Sequence, residues 1–159
     1  MDTEYPYKIA VHFPGNLEYI PSIRKLVYDI LQVAGFSNKF AFRSEIIVDE
    51  ICNNAVRFGC DKSSDIELGF EIDDDRIEFT IRDGGGNPLH IKRLKKALQQ
   101  QKKEKKSSNE DLQSGLGLNL VKMLSQEVDF SIDDNNVTSV HVVRKREDNS
   151  RICNGSNTK

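Results

Sequence analysis

The 159-residue chain predicts an α+β fold: a two-layer sandwich with a mixed, mostly antiparallel sheet covered on one face by helices. Three observations carry that expectation. Two stretches, from Glu18 to Ala34 and from about Lys39 to Phe58, repeat apolar residues at three- and four-residue spacing. Two others, Ile66–Ile72 and Ile77–Ile81, alternate apolar and polar residues across the short polar turn Asp73-Asp74-Asp75. The resulting order is βααββ, then a polar interval, then αββ, which sorts helices and strands into separate layers.

Element by element, Lys8–Phe13 is short and apolar enough for a strand, and Pro14-Gly15-Asn16 ends it. Ile20, Ile23, Val27, Ile30, Leu31 and Ala34 form one stripe of an amphipathic helix that Gly35 closes. The second helix buries Phe42, Ile46, Ile47, Ile51 and Ala55, with Gly59 as its stop. The alternating runs after it form a hairpin, and Gly84-Gly85-Gly86-Asn87-Pro88 cannot continue the second strand. Helical character returns from about His90 to Gln101, and Gln99–Ser114 is almost wholly polar. A third core helix follows Gly115-Leu116-Gly117 and runs to about Gln126 on Leu118, Val121 and Leu124. Strands at Val128–Ile132 and Thr138–Val143, joined through Asp134-Asn135-Asn136, complete the sheet. Residues 1–145 therefore read as one domain, with 146–159 a polar, disordered tail.

Composition narrows the class. No run approaches the ~18 apolar residues of a membrane helix, and the N-terminus lacks a basic start and an apolar stretch, so a cytoplasmic protein is expected. Cys52, Cys60 and Cys153 form no CxxC pair, which reads as free thiols rather than a disulfide framework or a zinc site. The net charge of −2 conceals an asymmetry. Residues 92–106 hold eight lysines and arginines against Glu104 alone, a net +7, which leaves −9 on the rest of the chain.

Three clusters carry chemistry. On the second helix, Asp49-Glu50-Ile51-Cys52-Asn53-Asn54-Ala55 sets Glu50 and Asn54 four residues apart on one face. A carboxylate there can deprotonate a nucleophile, and an amide oxygen one turn on can hold a hard cation such as Mg2+. Directly after a strand, Arg82-Asp83-Gly84-Gly85-Gly86 offers an acceptor for an exocyclic amine and glycines that admit a flat ligand. Gly115-Leu116-Gly117-Leu118 opens a helix, where backbone N–H groups and the helix dipole favour phosphate. Neither a Walker loop nor a dinucleotide fingerprint is present.

The order ExxxNA on a helix, DxG at a strand end, and GLGL at a helix start resembles the GHKL (Bergerat-fold) ATPases, over residues from about 7 to 145. Within them, Val48–Ala55 and Ser114–Val121 look like the anti-sigma-factor serine/threonine kinases of bacterial partner switching. That resemblance implies ATP and Mg2+ as cofactors, Glu50 as general base and Asn54 as the Mg2+ ligand. It implies Asp83 on the adenine amino group and Gly85 shaping that pocket. Gly115, Leu116, Gly117 and Leu118 would lie at the phosphates, Thr138 near adenine, and Arg24 of the first helix against a sigma factor. The implied partners are a sigma factor and a small anti-anti-sigma protein of the STAS type, with homodimerisation common and no direct nucleic-acid or membrane contact. Two positions depart from the family pattern: Phe58, after Arg57, stands where a histidine often closes the first motif, and Gly86-Asn87-Pro88 shortens the second.

The interval 88–114 corresponds in that pattern to the ATP lid, and a cationic lid suits a polyanionic nucleotide. The competing readings are a solvated charged stretch or a polyanion-binding patch. The patch is disfavoured by the absence of interleaved aromatics and by the acidic remainder of the chain. The function expected is an ATP-binding anti-sigma factor that phosphorylates its antagonist. The alternatives are a non-catalytic, nucleotide-gated binding regulator and a detached histidine-kinase ATP domain in a phosphorelay.

Overall fold

The computed structural model describes residues 6–59, 64–84, 88, 89, 92 and 118–147. Strands β1 (Tyr7–Pro14), β2 (Asp65–Ile72), β3 (Arg76–Asp83), β4 (Glu127–Ile132) and β5 (Thr138–Lys145) form one sheet in the order β1-β2-β3-β5-β4. Three helices, α1 (Ile20–Val33), α2 (Asn38–Asn54) and α3 (Leu118–Leu124), complete the described α+β architecture. The sheet, expected to be mixed and mostly antiparallel, is antiparallel at every pairing among the described residues.

Local chemistry sets the ends of these elements. Asn16 accepts a hydrogen bond from the Glu18 N–H (3.0 Å) at the 3-10 turn Leu17–Tyr19, and Pro21 sits in the first turn of α1. Ser37 caps α2 by accepting from the Phe40 N–H at 3.2 Å. The β2–β3 turn closes with Asp73 N donating to Arg76 O at 2.9 Å. Between β4 and β5, the Asp133 carboxylate accepts from the N–H groups of Asn135 and Val137, and Asn136 takes a left-handed φ of 61°.

The period-two pattern buries its apolar residues on one face: Ile66, Leu68, Phe70 and Ile72 from β2, Ile77, Phe79 and Ile81 from β3, Val140 and Val142 from β5. They pack against Ile23, Val27 and Leu31 of α1 and Phe40, Ile47, Val48 and Ile51 of α2. The opposite sheet face is polar and carries a cross-strand ion pair, Lys8–Glu71 at 3.2 Å, and a hydrogen bond between His141 and Glu78 at 2.9 Å.

Two details of α2 differ from the sequence expectation. Phe42, expected in the buried stripe, is 57% exposed, and Ser44 occupies the core position instead. The α-helical hydrogen bonding ends at Asn54, and the chain widens into a π-helical turn over Ala55–Gly59. Cys52 is buried in the core; Cys60 and Cys153 lie outside the described residues. Pro88, Leu89 and Lys92 are helical, near the helix expected from His90, most of which lies outside the described residues. The expected tail, residues 146–159, is described only to Glu147.

Candidate functional site

Asp83 is the last residue of β3, and antiparallel register sets it directly opposite Thr138, the first residue of β5. Both are buried, at 6% and 4% exposure. The Thr138 hydroxyl donates to Asp83 Oδ2, while Asp83 Oδ1 is buried with no hydrogen-bond partner among the described residues. A buried carboxylate oxygen without a donor is costly, so such atoms in folded proteins call for an external partner. Burial pushes the Asp83 carboxyl above the usual carboxylate range, and the Thr138 hydrogen bond works against that shift.

Glu50 and Asn54 lie on the last turns of α2, both half-buried and one helical turn apart. The π-helical turn that follows Asn54 packs against β3, the strand that ends in Asp83. The helix with the candidate base thus approaches the strand with the buried acceptor. A π-turn at a helix end redirects the chain within a few residues and is often found at functional sites.

Of the remaining candidates, Leu118 is the first residue of α3, and Gly85, Gly115, Leu116 and Gly117 lie outside the described residues. Arg24 is half-exposed on α1 and paired across the helix interface, with Nε 2.8 Å from Glu45 Oε1 and Nη1 3.5 Å from Asp49 Oδ1. It therefore meets α2 beside Glu50. Among the described residues no group of three His, Cys, Asp or Glu side chains could hold a metal ion. A groove of about 350 Å3 floored by Ala10, Gly69 and Thr80 lies on the outer sheet face, opposite the face on which Asp83 is buried.

A family model for the histidine kinase-like ATPase domain matches residues 13–143, which span α1, α2, Asp83, Leu118 and Thr138. The chain belongs to the histidine kinase-like ATPase family. Among curated relatives of this chain, a serine-protein kinase RsbW of Bacillus licheniformis is 30% identical over 142 residues, 87% of each chain. A serine-protein kinase RsbW of Staphylococcus epidermidis is 33% identical over 127 residues, 76% of each chain. No helix among the described residues of the chain is long and apolar enough to cross a membrane.

Asp83 fits an adenine-type ligand on its own chemistry, because its free Oδ1 can accept from an exocyclic amine while Thr138 occupies Oδ2. Sequence reasoning found both residues but not their direct pairing, which follows from strand register. It missed Arg144, buried on β5; the residue follows Val142-Val143 and opens the basic run Arg144-Lys145-Arg146, where nothing in the sequence separates a core arginine from a surface one.

Proposed function

We propose that this protein is an ATP-binding anti-sigma factor with serine/threonine kinase activity, which sequesters a sigma factor and phosphorylates a small STAS-type antagonist in the cytoplasm. The observation that carries the nucleotide reading is the buried Oδ1 of Asp83, which has no partner among the described residues, beside Thr138. The kinase reading is supported by relatives named serine-protein kinases over most of the chain and by a carboxylate and an amide one turn apart on α2.

In this reading Asp83 accepts a hydrogen bond from the adenine amino group, Thr138 fixes the orientation of that carboxylate, and Gly85 gives the base room. Gly115, Leu116, Gly117 and Leu118 bind the phosphates through backbone N–H groups. Asn54 would hold Mg2+, whose charge would offset that of the phosphates. Glu50 accepts the proton of the incoming serine or threonine hydroxyl. The hydroxyl oxygen forms a bond to the γ-phosphorus as the bond to the β–γ bridging oxygen breaks, releasing ADP. The basic segment 92–106 places cations near the phosphates as the lid, and Arg24 lies at the sigma-factor surface.

Phosphoryl transfer to a STAS-type antagonist from radiolabelled Mg-ATP tests the reading. Wild-type protein should label a serine or threonine, and Glu50→Ala should lose transfer by at least about 100-fold while retaining ADP binding. Transfer at the wild-type rate by Glu50→Ala removes the base from the mechanism. Binding of ATP and antagonist without any labelled product makes the protein a nucleotide-gated regulator instead.

A further inference from the structure

Arg144 is an unusual residue to find in the core. It is only 3% exposed, and among the described residues it makes no ion pair. Taking a guanidinium out of water is expensive unless hydrogen bonds replace the lost hydration. Burial pushes Arg144 down to about 10, with Glu147 opposing the fall, so it stays charged at neutral pH.

Its hydrogen bonds reach two other elements. Nε donates to Leu124 O, at the end of α3, at 2.8 Å. Nη1 donates to Phe40 O at 2.8 Å and to Ser44 Oγ at 2.5 Å, both on α2. The guanidinium also lies over the Phe40 ring, 4.0 Å from its centroid. A cation at the C-terminal carbonyls of α3 is favoured by the helix dipole as well.

Each joined element carries a candidate site residue at a fixed distance from the junction. Glu50 is six residues beyond Ser44, about 9 Å along α2, and Leu118 is six before Leu124, about 9 Å along α3. Thr138 is six residues before Arg144, about 20 Å along β5. Hydrophobic contacts alone would let packed helices slide by fractions of a turn, whereas a planar fork with three fixed acceptors holds one arrangement.

We propose that Arg144 is a positioning residue: it joins β5, α2 and α3 so that the Glu50–Asn54 segment and the start of α3 meet a nucleotide seated on Asp83 and Thr138. This rests on the nucleotide-binding reading given above. Arg144 itself touches no substrate. Its loss should spare recognition of the base, which the sheet supplies, and impair recognition of the phosphates, which lie between the helices.

Adenosine and Mg-ADP affinities of the full chain separate these effects, measured by NMR titration and calorimetry on wild type, Arg144→Met and Arg144→Lys. Arg144→Met keeps the length and packing of the side chain; Arg144→Lys keeps the charge but not the planar fork. Both variants should bind adenosine within about twofold of wild type and Mg-ADP at least about 10-fold more weakly, because a displaced helix forfeits at least one charge-assisted hydrogen bond to phosphate. Should Arg144→Met fail to fold, Arg144→Lys and Ser44→Ala, which removes one acceptor, carry the comparison. Gly69→Ala, on the outer sheet face where an added Cβ meets only Thr80 O at 3.7 Å, should change neither affinity. Parallel loss of adenosine and Mg-ADP, or loss of neither, overturns the proposal. Wild-type protein that binds neither ligand removes the nucleotide reading itself, and this inference with it.

Discussion

The Asp83 carboxylate works against stability and, in the proposed nucleotide site, in favour of recognition. Its folded pKa lies above its unfolded value, so the native state holds its proton more tightly and stability falls as pH rises between the two. At neutral pH the protein therefore bears the full cost of a buried, half-satisfied charge. Asp83→Asn removes that charge and keeps an oxygen for the Thr138 hydroxyl, but turns the free acceptor into a donor. Thermal melts at pH 7 should show Tm equal to or above wild type, with any difference shrinking in acid once the wild-type carboxyl is protonated. Mg-ADP affinity should fall about 10- to 100-fold, the ~1.5–3 kcal/mol of a hydrogen bond to a charged group. Wild-type affinity should itself weaken as pH drops, beginning at a higher pH than an ordinary aspartate would give. A loss of stability in Asp83→Asn together with unchanged ADP binding would assign Asp83 a purely structural role. The sequence gives the position of Asp83 at a strand end beside glycines. Its orphaned oxygen becomes visible only when β5 is seen to bring Thr138 opposite.

Helix ends and helix faces differed in how far the sequence specified them. Gly35 was legible as the stop of α1, and the structure gives the reason: Phe36 N donates to Leu31 O at 3.0 Å and Gly35 N to Gln32 O at 3.1 Å, with Gly35 at φ 78°. This is the Schellman pattern, closed by contact between buried Phe36 and Leu31. A Cβ at Gly35 would meet nothing within 4 Å, so Gly35→Ala tests backbone strain alone. It should cost about 1 kcal/mol, seen as a drop in Tm of about 2–4 °C. The face of α2 was harder to read because its core includes a polar residue. Ser44 faces inward, where its hydroxyl donates to Phe40 O and accepts from Arg144. A search for apolar spacing passes over Ser44 and takes Phe42, which lies about 200° around the helix from it and faces outward. The Arg144 junction and the polar position in the stripe are thus one feature, and hydrophobic periodicity detects neither. The π-helical turn after Asn54 was equally silent, since no residue type marks the change from i−4 to i−5 bonding.

At the scale of the whole molecule, the strand order β1-β2-β3-β5-β4 puts β3 and β5 side by side although α3 and β4 lie between them in sequence. That non-sequential pairing joins Asp83 to Thr138, and the intervening chain includes the interval 88–114 with its excess of lysine. Charge is divided the same way, with −9 on the rest of the chain and +7 on residues 92–106. If the basic segment serves the phosphates, its contribution must depend on ionic strength, because exposed charges are screened beyond about 10 Å at 0.1 M salt. Mg-ADP affinity of wild type should therefore fall several-fold between 50 and 500 mM salt, while adenosine affinity stays nearly constant. Replacing Lys102, Lys103, Lys105 and Lys106 together by glutamine should weaken Mg-ADP at low salt, flatten its salt dependence, and leave adenosine unaffected. If the quadruple variant instead keeps the wild-type affinity and slope, the segment is a solvated charged stretch and phosphate recognition falls to the glycine motif and α2.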